Sequence, residues 1–528
     1  FVVDGQQRLT SLTLLLTYLR RLQQNRDDQV GIDELIYSEK FGEKSFNLDV
    51  EDRLDCMDAL FEHGEYEPPA DAPESVRTLV SRYAELDDLF PEEVRGDALP
   101  FFIDWLKDRV QLVQITAYSD DDAYAIFETM NDRGLKLTPA DMLKGYLLAN
   151  MEEGRQRTRA NDLWRKRLRR LDERAEDAGS DFLKTWLRSQ YSTKIRERRR
   201  GAKAEDWDRI GTEFHRWLRG AHEAVGLTTS EAFYGFVTQD FEFYGEQYAR
   251  IPVDPASRLR FVRYNADLGF TLQNQLLLAP LAVGDVSETI DRKLELVGRF
   301  TDILVARRIW NNKSIAYSTM SYAMFLVMKD IRGLGVADLA VALRETLRKL
   351  DETFEVDGPS VHQQNRRHLH HLLARMTDHI TVASGQASNY LELSGGAKVK
   401  YEVEHVWADH FDRHTGEFAH EADFARHRNR IGDLLLLPKQ FNASYNDDTY
   451  AQKLPHYFGQ NLLAASLNEL SYTRNPGFRG FVQASGLPFR AYDEFTAEAI
   501  VERGALYRNL ARLVWNPDDL LAVAEGAA

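Results

Sequence analysis

The chain contains Tyr401-Glu402-Val403-Glu404-His405, then Arg430-Ile431-Gly432-Asp433-Leu434-Leu435-Leu436-Leu437, and then Asn442. An acid and a histidine end the first apolar run, a second apolar run follows after a loop, and a carboxamide opens the next segment. Short apolar runs separated by polar loops are typical of strands. This order of groups predicts a hairpin of strand, strand and helix.

The residue types in this hairpin are those of a one-metal nuclease centre. His405 would remove a proton from an attacking water, while Glu404 and Asn442 supply hard oxygen ligands to a magnesium-like ion. The ion is needed because phosphodiester cleavage places additional negative charge on the phosphate and on the departing sugar oxygen. Oxygen-only ligation argues against zinc. An ordinary solvated strand edge with no chemistry would also explain a Glu-His pair.

The segment from Tyr401 to Tyr457 resembles the ββα-metal (His-Me finger, HNH) nuclease module that ends GmrSD-type restriction enzymes. The resemblance rests on the Glu-His pair, the Ile-Gly-x-Leu-x-Leu-Leu strand, the asparagine that follows it and the Lys453-x-x-x-Tyr457 spacing. It implies a general base, a site for Mg²⁺ or Mn²⁺ and DNA as the substrate. The catalytic candidates are His405, Asp433 and Lys453, and the metal-ligand candidates are Glu404 and Asn442.

Two positions depart from the pattern of that family. The family usually has Asn after the glycine, where this chain has Asp433. The proline that commonly follows Glu-His and a hydrophobic residue is absent, and Trp407-Ala408-Asp409-His410 stands there instead. Asp409, His410 or His414 could therefore be auxiliary metal ligands. The departure at Asp433 keeps open a regulatory or scaffold protein that retains the hairpin without catalysis.

At the other end of the chain, Phe1-Val2-Val3-Asp4-Gly5-Gln6-Gln7-Arg8 predicts an apolar strand, a glycine turn and a helix from Leu9 to Leu22. Such a junction presents backbone N–H groups and a helix N-terminus, and both attract phosphate. Arg8 could add a bidentate phosphate contact, and the Gln6 and Gln7 amides could orient a sugar, a base or a water. A plain turn with a helix cap explains the same residues without a ligand.

The sequence Asp-Gly-Gln-Gln-Arg-Leu-Thr looks like the signature of the GmrSD N-terminal domain, a relative of the ParB/sulfiredoxin-like fold. The stretch from Ala125 to Thr138 follows a further pattern of that family, Phe-Glu-x-x-Asn-x-x-Gly-x-x-Leu. The resemblance implies binding and hydrolysis of a nucleoside triphosphate, and related SspE-type phage-defence proteins combine the motif with a nuclease end. The nucleotide-site candidates are Asp4, Gly5, Gln6, Gln7, Arg8, Asn131 and Arg133.

Turn and cap residues also predict local structure beside this motif. Thr138, Pro139 and Asp141 are typical of the start of a helix. The sequence Gly-x-x-x-x-Gly-Lys-Ser/Thr is absent, so a P-loop does not hydrolyse any nucleotide bound here. The chain opens without Met inside an apparent strand, and we expect upstream residues that supply its neighbours.

Composition narrows the class of protein. With 528 residues and 43% hydrophobic content, the chain is long and apolar enough for about three packed domains. A single cysteine, Cys56, excludes a disulfide framework and favours a reducing compartment. No apolar run of about 18 residues or signal peptide is evident. We therefore expect a cytoplasmic protein without a membrane partner. The sequence is consistent with a homo-oligomer and does not determine the oligomeric state.

The net charge of −16 hides one strongly basic region. Residues 155–203 include 17 Lys and Arg against 7 Asp and Glu, with tryptophan and tyrosine interleaved. This region is the best candidate for a surface that follows a phosphate backbone. The same residues are explained equally well by an amphipathic helix whose basic face contacts water or an acidic partner domain. The DNA-binding candidates are Arg165, Lys166, Arg169 and Arg170.

Apolar spacings of three and four predict that the chain is α+β and predominantly helical. Strand signals are restricted to residues 1–3, 110–115, 399–406 and 434–437. We expect a ParB/sulfiredoxin-like nucleotide-binding domain at 1–152, a helical middle at 153–384 and an HNH nuclease domain with C-terminal helices at 385–528. A histidine cluster at 362–379 favours a basic helix over a metal site, because neighbouring arginines would repel a cation.

These observations together predict a DNA endonuclease of modification-dependent restriction or phage defence, which requires a metal ion and responds to NTP. Two alternatives stay open. One is the inactive scaffold protein, and the other is an NTPase whose nuclease end nicks single strands or RNA.

Overall fold

The computed structural model describes residues 5–40, 43–47, 53–69, 72–114, 116, 138–152, 154–251, 259–395 and 399–526. The chain folds into two compact units, Phe1–Leu137 and Thr138–Ala528. Helix dominates both units in the described ranges, as the sequence predicts. No helix within those ranges is both long enough and apolar enough to cross a membrane.

The first unit packs short helices around one apolar core that includes Leu19, Ile36, Leu60 and Leu99. Its only strands in the described part form an antiparallel pair. The elements are α1 (Gln6–Gln23), α2 (Asp33–Ile36), β1 (Tyr37–Lys40), β2 (Glu43–Phe46), α3 (Leu54–Glu62), α4 (Glu74–Leu89), α5 (Glu92–Arg95) and α6 (Leu99–Arg109).

Two sequence predictions for this unit have different outcomes. The helix expected from Leu9 to Leu22 is confirmed, and α1 exceeds it at both ends. The strand expected from Val110 to Ile115 is wrong for residues 110–114, which are not in a strand. A strand needs a partner for its backbone groups, and Leu112 and Val113 are 67% and 86% exposed instead of packed in a sheet. The apolar strand predicted at residues 1–3 lies outside the described residues.

The second unit begins with a helix whose start the sequence predicts correctly. Thr138 accepts a hydrogen bond from the backbone N–H of Asp141, and the Asp141 side chain accepts one from the Thr138 N–H, which completes a capping box. The elements up to residue 278 are α7 (Pro139–Ala149), α8 (Arg155–Asp172), α9 (Ala178–Tyr191), α10 (Asp206–Val225), α11 (Ser230–Gly235), a π-helical turn (Phe236–Phe241), α12 (Glu242–Arg250), α13 (Arg260–Asp267) and α14 (Gln273–Leu278).

The chain continues through further helices to a two-stranded antiparallel hairpin and a C-terminal group of helices. The elements are α15 (Ser287–Trp310), α16 (Tyr317–Ile331), α17 (Val336–Arg348), α18 (Arg366–Ala383), α19 (Tyr390–Leu393), β3 (Tyr401–His405), a 3₁₀ turn (Phe411–His414), α20 (Glu421–Arg428), a 3₁₀ turn (Ile431–Asp433), β4 (Leu434–Pro438), α21 (Lys439–Tyr445), α22 (Tyr450–Tyr457), α23 (Leu462–Ala465), α24 (Leu470–Arg474), α25 (Pro476–Ser485), α26 (Ala497–Val514) and α27 (Asp519–Glu525).

One apolar core runs through the whole second unit, from Ala140 to Val523. A buried ion pair connects its distant parts, because Arg375 Nη2 in α18 lies 2.7 Å from Asp302 Oδ2 in α15. The indole N–H of Trp515 donates to the same Asp302 oxygen at 3.0 Å. A buried carboxylate needs such partners to offset its lost hydration. The helices before the hairpin and those after it are therefore packed as one body.

The hairpin has the predicted order of strand, strand and helix. β3 pairs with β4 so that Val403 faces Leu436 and His405 faces Leu434, and α21 follows β4 directly. Residues Leu434 to Leu437 are fully buried, which explains why this strand is a continuous apolar run. A Cβ atom at Gly432 would lie 2.0 Å from the carbonyl oxygen of Ile500 in α26. Only glycine fits at that contact.

Candidate active site at the end of the hairpin

His405 is the last residue of β3 and is half-buried. Its Nε2 lies 3.1 Å from the side-chain oxygen of Asn429, which follows α20. Because an amide oxygen only accepts, Nε2 carries the ring proton and Nδ1 is the basic nitrogen. Asn429 is fixed in turn, since its backbone oxygen accepts from the Val361 N–H at 2.7 Å. The imidazole therefore has a defined tautomer and orientation.

The surroundings keep this imidazole uncharged. The pKa of His405 is lowered to about 3, first by burial and then by the positive charges of Arg428, Arg366 and Lys453, while the Asn429 hydrogen bond opposes the shift. The ring is therefore neutral at ordinary pH. A general base must start in that state.

Three cationic side chains surround the end of β3 and hold its backbone. Arg366 Nη2 donates to the Val403 carbonyl at 2.6 Å, and Arg428 Nε donates to the Trp407 carbonyl at 3.2 Å. The third is Lys453, a predicted catalytic residue. Its buried Nζ lies 3.3 Å from the Val406 oxygen and 3.5 Å from the His405 oxygen. Lys453 therefore lies under the backbone of the site, where it supports the segment that carries His405.

Glu404 precedes His405 in β3 and is half-buried. Among the described residues, no hydrogen bond or ion pair to its carboxylate occurs. Burial raises the pKa of Glu404, while Lys453, Arg428 and Arg366 lower it. A carboxylate oxygen without a protein partner is a donor that Mg²⁺ and Mn²⁺ prefer. The chemistry of Glu404 thus fits the predicted metal ligand.

The other predicted ligands are less closely associated with His405. The backbone of Asn442 lies in α21, and its side chain is outside what the structure describes. Asp409 Oδ1 lies 3.8 Å from Arg428, His410 Nδ1 lies 3.3 Å from Asp412, and His414 Nδ1 lies 3.4 Å from Glu417. Within the described ranges, no group of three or more His, Cys, Asp and Glu side chains could hold a metal ion. A metal at this site would depend on Glu404 and an amide oxygen.

Asp433 is fully buried directly before β4 and is hydrogen-bonded to the segment after His405. Its backbone oxygen accepts from the Val406 N–H at 2.8 Å, and its Oδ1 accepts from the Trp407 N–H at 3.1 Å. Its Oδ2 has no partner among the described atoms. Burial raises the pKa of Asp433 well above its ordinary value. A protonated carboxyl group has the donor and acceptor character of the asparagine that the family pattern has here.

The predicted nucleotide residues fall partly within the described chain. Gly5 has a φ of 92° and stands at the N-cap position of α1. Gln6, Gln7 and Arg8 are exposed in the first turn of that helix. The guanidinium of Arg8 reaches back over Gly5, because a Cβ atom there would lie 3.8 Å from Arg8 Nη2. Asp4, Asn131 and Arg133 lie outside the described residues.

The predicted DNA-binding residues lie on one amphipathic helix. In α8, Trp164 and Leu171 are buried, and the four candidates lie toward the solvent on other faces. An open cavity of about 630 Å³ lies at the N-terminal half of α8, with Arg155, Arg159 and Lys166 in its lining. This geometry is compatible with a bound phosphate backbone and also with a solvated basic face. The four candidates are Arg165, Lys166, Arg169 and Arg170.

Sequence reasoning missed Asn429, Arg366 and Arg428, although all three contact the end of β3 or the segment after it. A polar residue just before the second strand was the only available signal for Asn429. Arg366 lies 37 residues before Val403, the residue whose carbonyl it binds. Only the folded packing of α18 against β3 brings these two residues together.

Comparison with protein families finds two matches. Residues 1–148 match the N-terminal domain of the GmrSD restriction endonucleases, and residues 349–510 match the C-terminal domain of the same enzymes. The first range contains Gly5 to Arg8, and the second contains β3, Asn429 and β4. Comparison with curated proteins found no match.

Proposed function

The protein belongs to the GmrSD restriction endonucleases, which are restriction-type DNA-cutting enzymes, and from this premise we propose that it is a metal-dependent HNH-type nuclease controlled by a nucleoside triphosphate. The observation that carries the proposal is the neutral His405 at the end of β3. Asn429 orients this imidazole, and the preceding residue of the strand is Glu404, whose carboxylate makes no hydrogen bond or ion pair within the described ranges.

His405 acts as the general base in this proposal. Nδ1 accepts a proton from a water molecule, and Asn429 holds the Nε2 proton so that Nδ1 keeps its lone pair. The positive charge that arises on the imidazole is costly in a half-buried site, but the neighbouring phosphate diester would offset it. Asp433 and Lys453 hold the backbone on either side of residue 406 and keep the imidazole in place.

Arg366 and Arg428 supply positive charge next to the attacked phosphate. Both guanidinium groups lower the pKa of His405 in addition to the effect of burial, which indicates that their field reaches the imidazole. The same field attracts a DNA phosphate group. When bound to Glu404 and Asn442, Mg²⁺ or Mn²⁺ supplies Lewis-acid stabilisation of the negative charge that develops during cleavage.

The N-terminal domain would control this reaction through a nucleotide bound at Gly5 to Arg8. Its support is the start of α1, an 18-residue helix whose dipole favours an anion at this end. The glycine at the N-cap leaves room for a close approach of phosphate to the backbone. Arg8 extends over the same helix start and would pair with a phosphate. Cutting would then be conditional on NTP, which protects host DNA until phage or modified DNA is present.

The test is a cleavage assay with purified protein, Mg²⁺ or Mn²⁺, and phage DNA with and without modified bases, each with and without NTP. His405→Ala should lower the cleavage rate by about 10²-fold to 10⁴-fold, the usual contribution of a general base. Arg8→Ala should alter NTP turnover and leave the metal requirement unchanged. Undiminished cleavage by His405→Ala would show that His405 is not the general base.

The same assay separates the alternatives. A scaffold protein would leave every substrate intact with either metal ion. Parallel reactions with RNA, single-stranded DNA and duplex DNA would identify an enzyme that nicks single strands. Circular dichroism of His405→Ala should match the parent protein, which excludes unfolding as the cause of lost cleavage.

A further inference from the structure

A cavity of about 570 Å³ lies beside β3, within the second unit. Its walls come from the start of α18, the end of α13, α19 and the first residues of β3. Cavities of this size hold small organic ligands. The lining residues on which the argument depends are Asp267, Arg366, Arg367, His371, Tyr390 and Glu402.

The cavity reaches close to the candidate active site. Val403 is in its lining, and His405 is two residues further along the same strand. Since a strand rises about 3.3 Å per residue, these two positions are about 7 Å apart. A ligand that fills the cavity would therefore contact the same short strand that carries the proposed general base.

The acids in the lining have cationic partners, but the arginines lack acidic ones. Asp267 Oδ1 lies 2.8 Å from Arg263, and Glu402 Oε1 lies 3.7 Å from Lys439. Arg366 and Arg367 instead donate to the backbone oxygens of Val403 and Asp267, which carry no net charge. Within the described ranges, no carboxylate pairs with either guanidinium. The cavity therefore has positive charge that a bound anion would neutralise.

The start of α18 adds to this positive field. Arg366 is the first residue of this 18-residue helix, and no side chain caps its first turn in the described structure. The N–H groups of a first turn and the helix dipole both favour an anion at such a position. Burial lowers the pKa values of His370 and His371. The charges of Arg366 and Arg367 add to these shifts, while a hydrogen bond to the Leu393 carbonyl and the charge of Glu402 oppose the shift at His370.

The deeper wall is aromatic and polar. His371 is only 7% exposed, and its one hydrogen bond among the described atoms joins Nδ1 to the Tyr390 hydroxyl at 3.5 Å. Its Nε2 is thus available to a group inside the cavity. Tyr390 is itself fixed, because its hydroxyl donates to Asp267 Oδ2 at 2.7 Å. A flat heterocycle with hydrogen-bonding edges suits a wall of this kind.

We propose that this cavity is a nucleotide subsite, in which Arg366 and Arg367 bind the phosphate and His371 and Tyr390 contact the base. This inference rests on the proposed function, because an enzyme that cuts DNA under the control of an NTP meets both DNA nucleotides and free nucleotides. Enzymes that act on DNA can take one nucleotide out of the base stack into such a cavity. A free nucleotide has the same chemistry, so the experiment must distinguish the two sources.

The experiment measures binding in a protein that carries Arg8→Ala and His405→Ala, so that neither the N-terminal site nor cleavage contributes. The probes are 5′-dCMP, followed by calorimetry, and duplex DNA with one 2-aminopurine, whose fluorescence rises when the base leaves the stack. Arg367→Gln should weaken binding at least tenfold. Arg474→Gln, an exposed arginine at the end of α24, is the matched control and should change binding less than twofold.

Binding of 5′-dCMP that depends on Arg367 supports a subsite for free nucleotide, and a fluorescence rise that depends on Arg367 supports an extruded DNA nucleotide. His371→Phe should reduce the same signal, because it removes Nε2 and keeps a flat ring. If neither probe responds to Arg367→Gln, the subsite does not exist. If the parent protein binds these probes through Arg367 but does not cleave DNA, the nuclease proposal is wrong and the nucleotide subsite still stands.

Discussion

His405 Nε2 and Asn429 Oδ1 are joined at 3.1 Å, although the two residues are 24 positions apart in the chain. The bond connects the last residue of β3 to the loop that leads into β4. Since Val361 N–H also binds the Asn429 backbone, the imidazole is oriented by a residue that is itself held in place. This arrangement determines which ring nitrogen is basic.

Asn429→Asp should therefore change the pH dependence of cleavage. A carboxylate next to Nε2 favours the charged imidazole and raises the pKa of His405 from about 3. A protonated ring cannot accept a proton, so the variant should lose activity as pH falls through the raised pKa, while His405 of the parent enzyme should stay neutral from pH 5 to pH 9. A rate profile from pH 5 to pH 9 measures this difference. The exposed Asn446→Asp is the control, and coincident profiles for all three proteins would contradict the assignment.

Asn429→Ala tests orientation without added charge. Loss of the hydrogen bond should lower kcat by about tenfold to a hundredfold, because a misplaced base is no longer aligned with the attacked phosphate. KM should change little, since Asn429 does not contact DNA in the proposed mechanism. If the variant also melts at a lower temperature, and this unfolding accounts for the whole loss of kcat, Asn429 has a purely structural role.

Glu404→Gln should raise the concentration of Mg²⁺ needed for half-maximal cleavage by at least tenfold. The substitution keeps the shape of the side chain but removes the anionic oxygen that a hard cation prefers. A titration with MgCl₂ measures the shift, and EDTA should abolish cleavage by the parent enzyme. Glu421→Gln, at the exposed start of α20, should leave the titration unchanged. An unaltered titration for Glu404→Gln would exclude this residue as the ligand.

Asp433→Asn should stabilise the protein at neutral pH. The pKa of Asp433 is raised in the folded state, so its contribution to stability is present below the unfolded pKa of 3.8 and is lost as pH rises through the folded value. The gain in Tm for the variant should therefore be absent near pH 3.5 and present at pH 7, with cleavage retained. Melting curves at both pH values test this, with the exposed Asp412→Asn as control. A lower Tm at pH 7 would show that Lys453 stabilises an ionised Asp433.

Replacement of Arg165, Lys166, Arg169 and Arg170 by Gln should weaken DNA binding and its salt dependence. Each lost phosphate contact lowers the slope of log affinity against log salt by about 0.9. The matched control replaces the three arginines by Lys, which keeps the charge of α8 and should keep the slope. Binding isotherms at several NaCl concentrations supply both slopes. Identical slopes for the Gln variant and the parent protein would leave α8 as a solvated surface.

The sequence predicts those parts of the fold that depend on local patterns. The apolar run from Leu434 to Leu437, the amphipathic α8 and the helix start at Thr138 all result from short-range periodicity or capping, and all three are confirmed. The strand predicted at 110–115 failed where it is described, since a β-propensity without a partner strand does not form a sheet.

Several groups of the candidate site are brought together by tertiary contacts that residue spacing in the sequence does not reveal. His405 and Glu404 could be identified from their place in the hairpin, whereas Arg366 reaches Val403 only because α18 packs on β3. The position of Lys453 under the His405 and Val406 carbonyls also follows from tertiary packing. The location of the site was therefore predictable, but the groups that orient and charge it were not.

Gly432 has an ordinary backbone conformation, so the turn itself does not require glycine there. The requirement comes from α26, whose Ile500 oxygen and Gly504 nitrogen would lie 2.0 and 2.6 Å from an added Cβ. The glycine of the Ile-Gly-x-Leu pattern is thus required by the close packing of a helix that begins 65 residues later, at Ala497. Any attempt to transplant the hairpin into another scaffold would have to include that helix, because without it the Leu434 carbonyl loses the hydrogen bond from the Tyr507 hydroxyl.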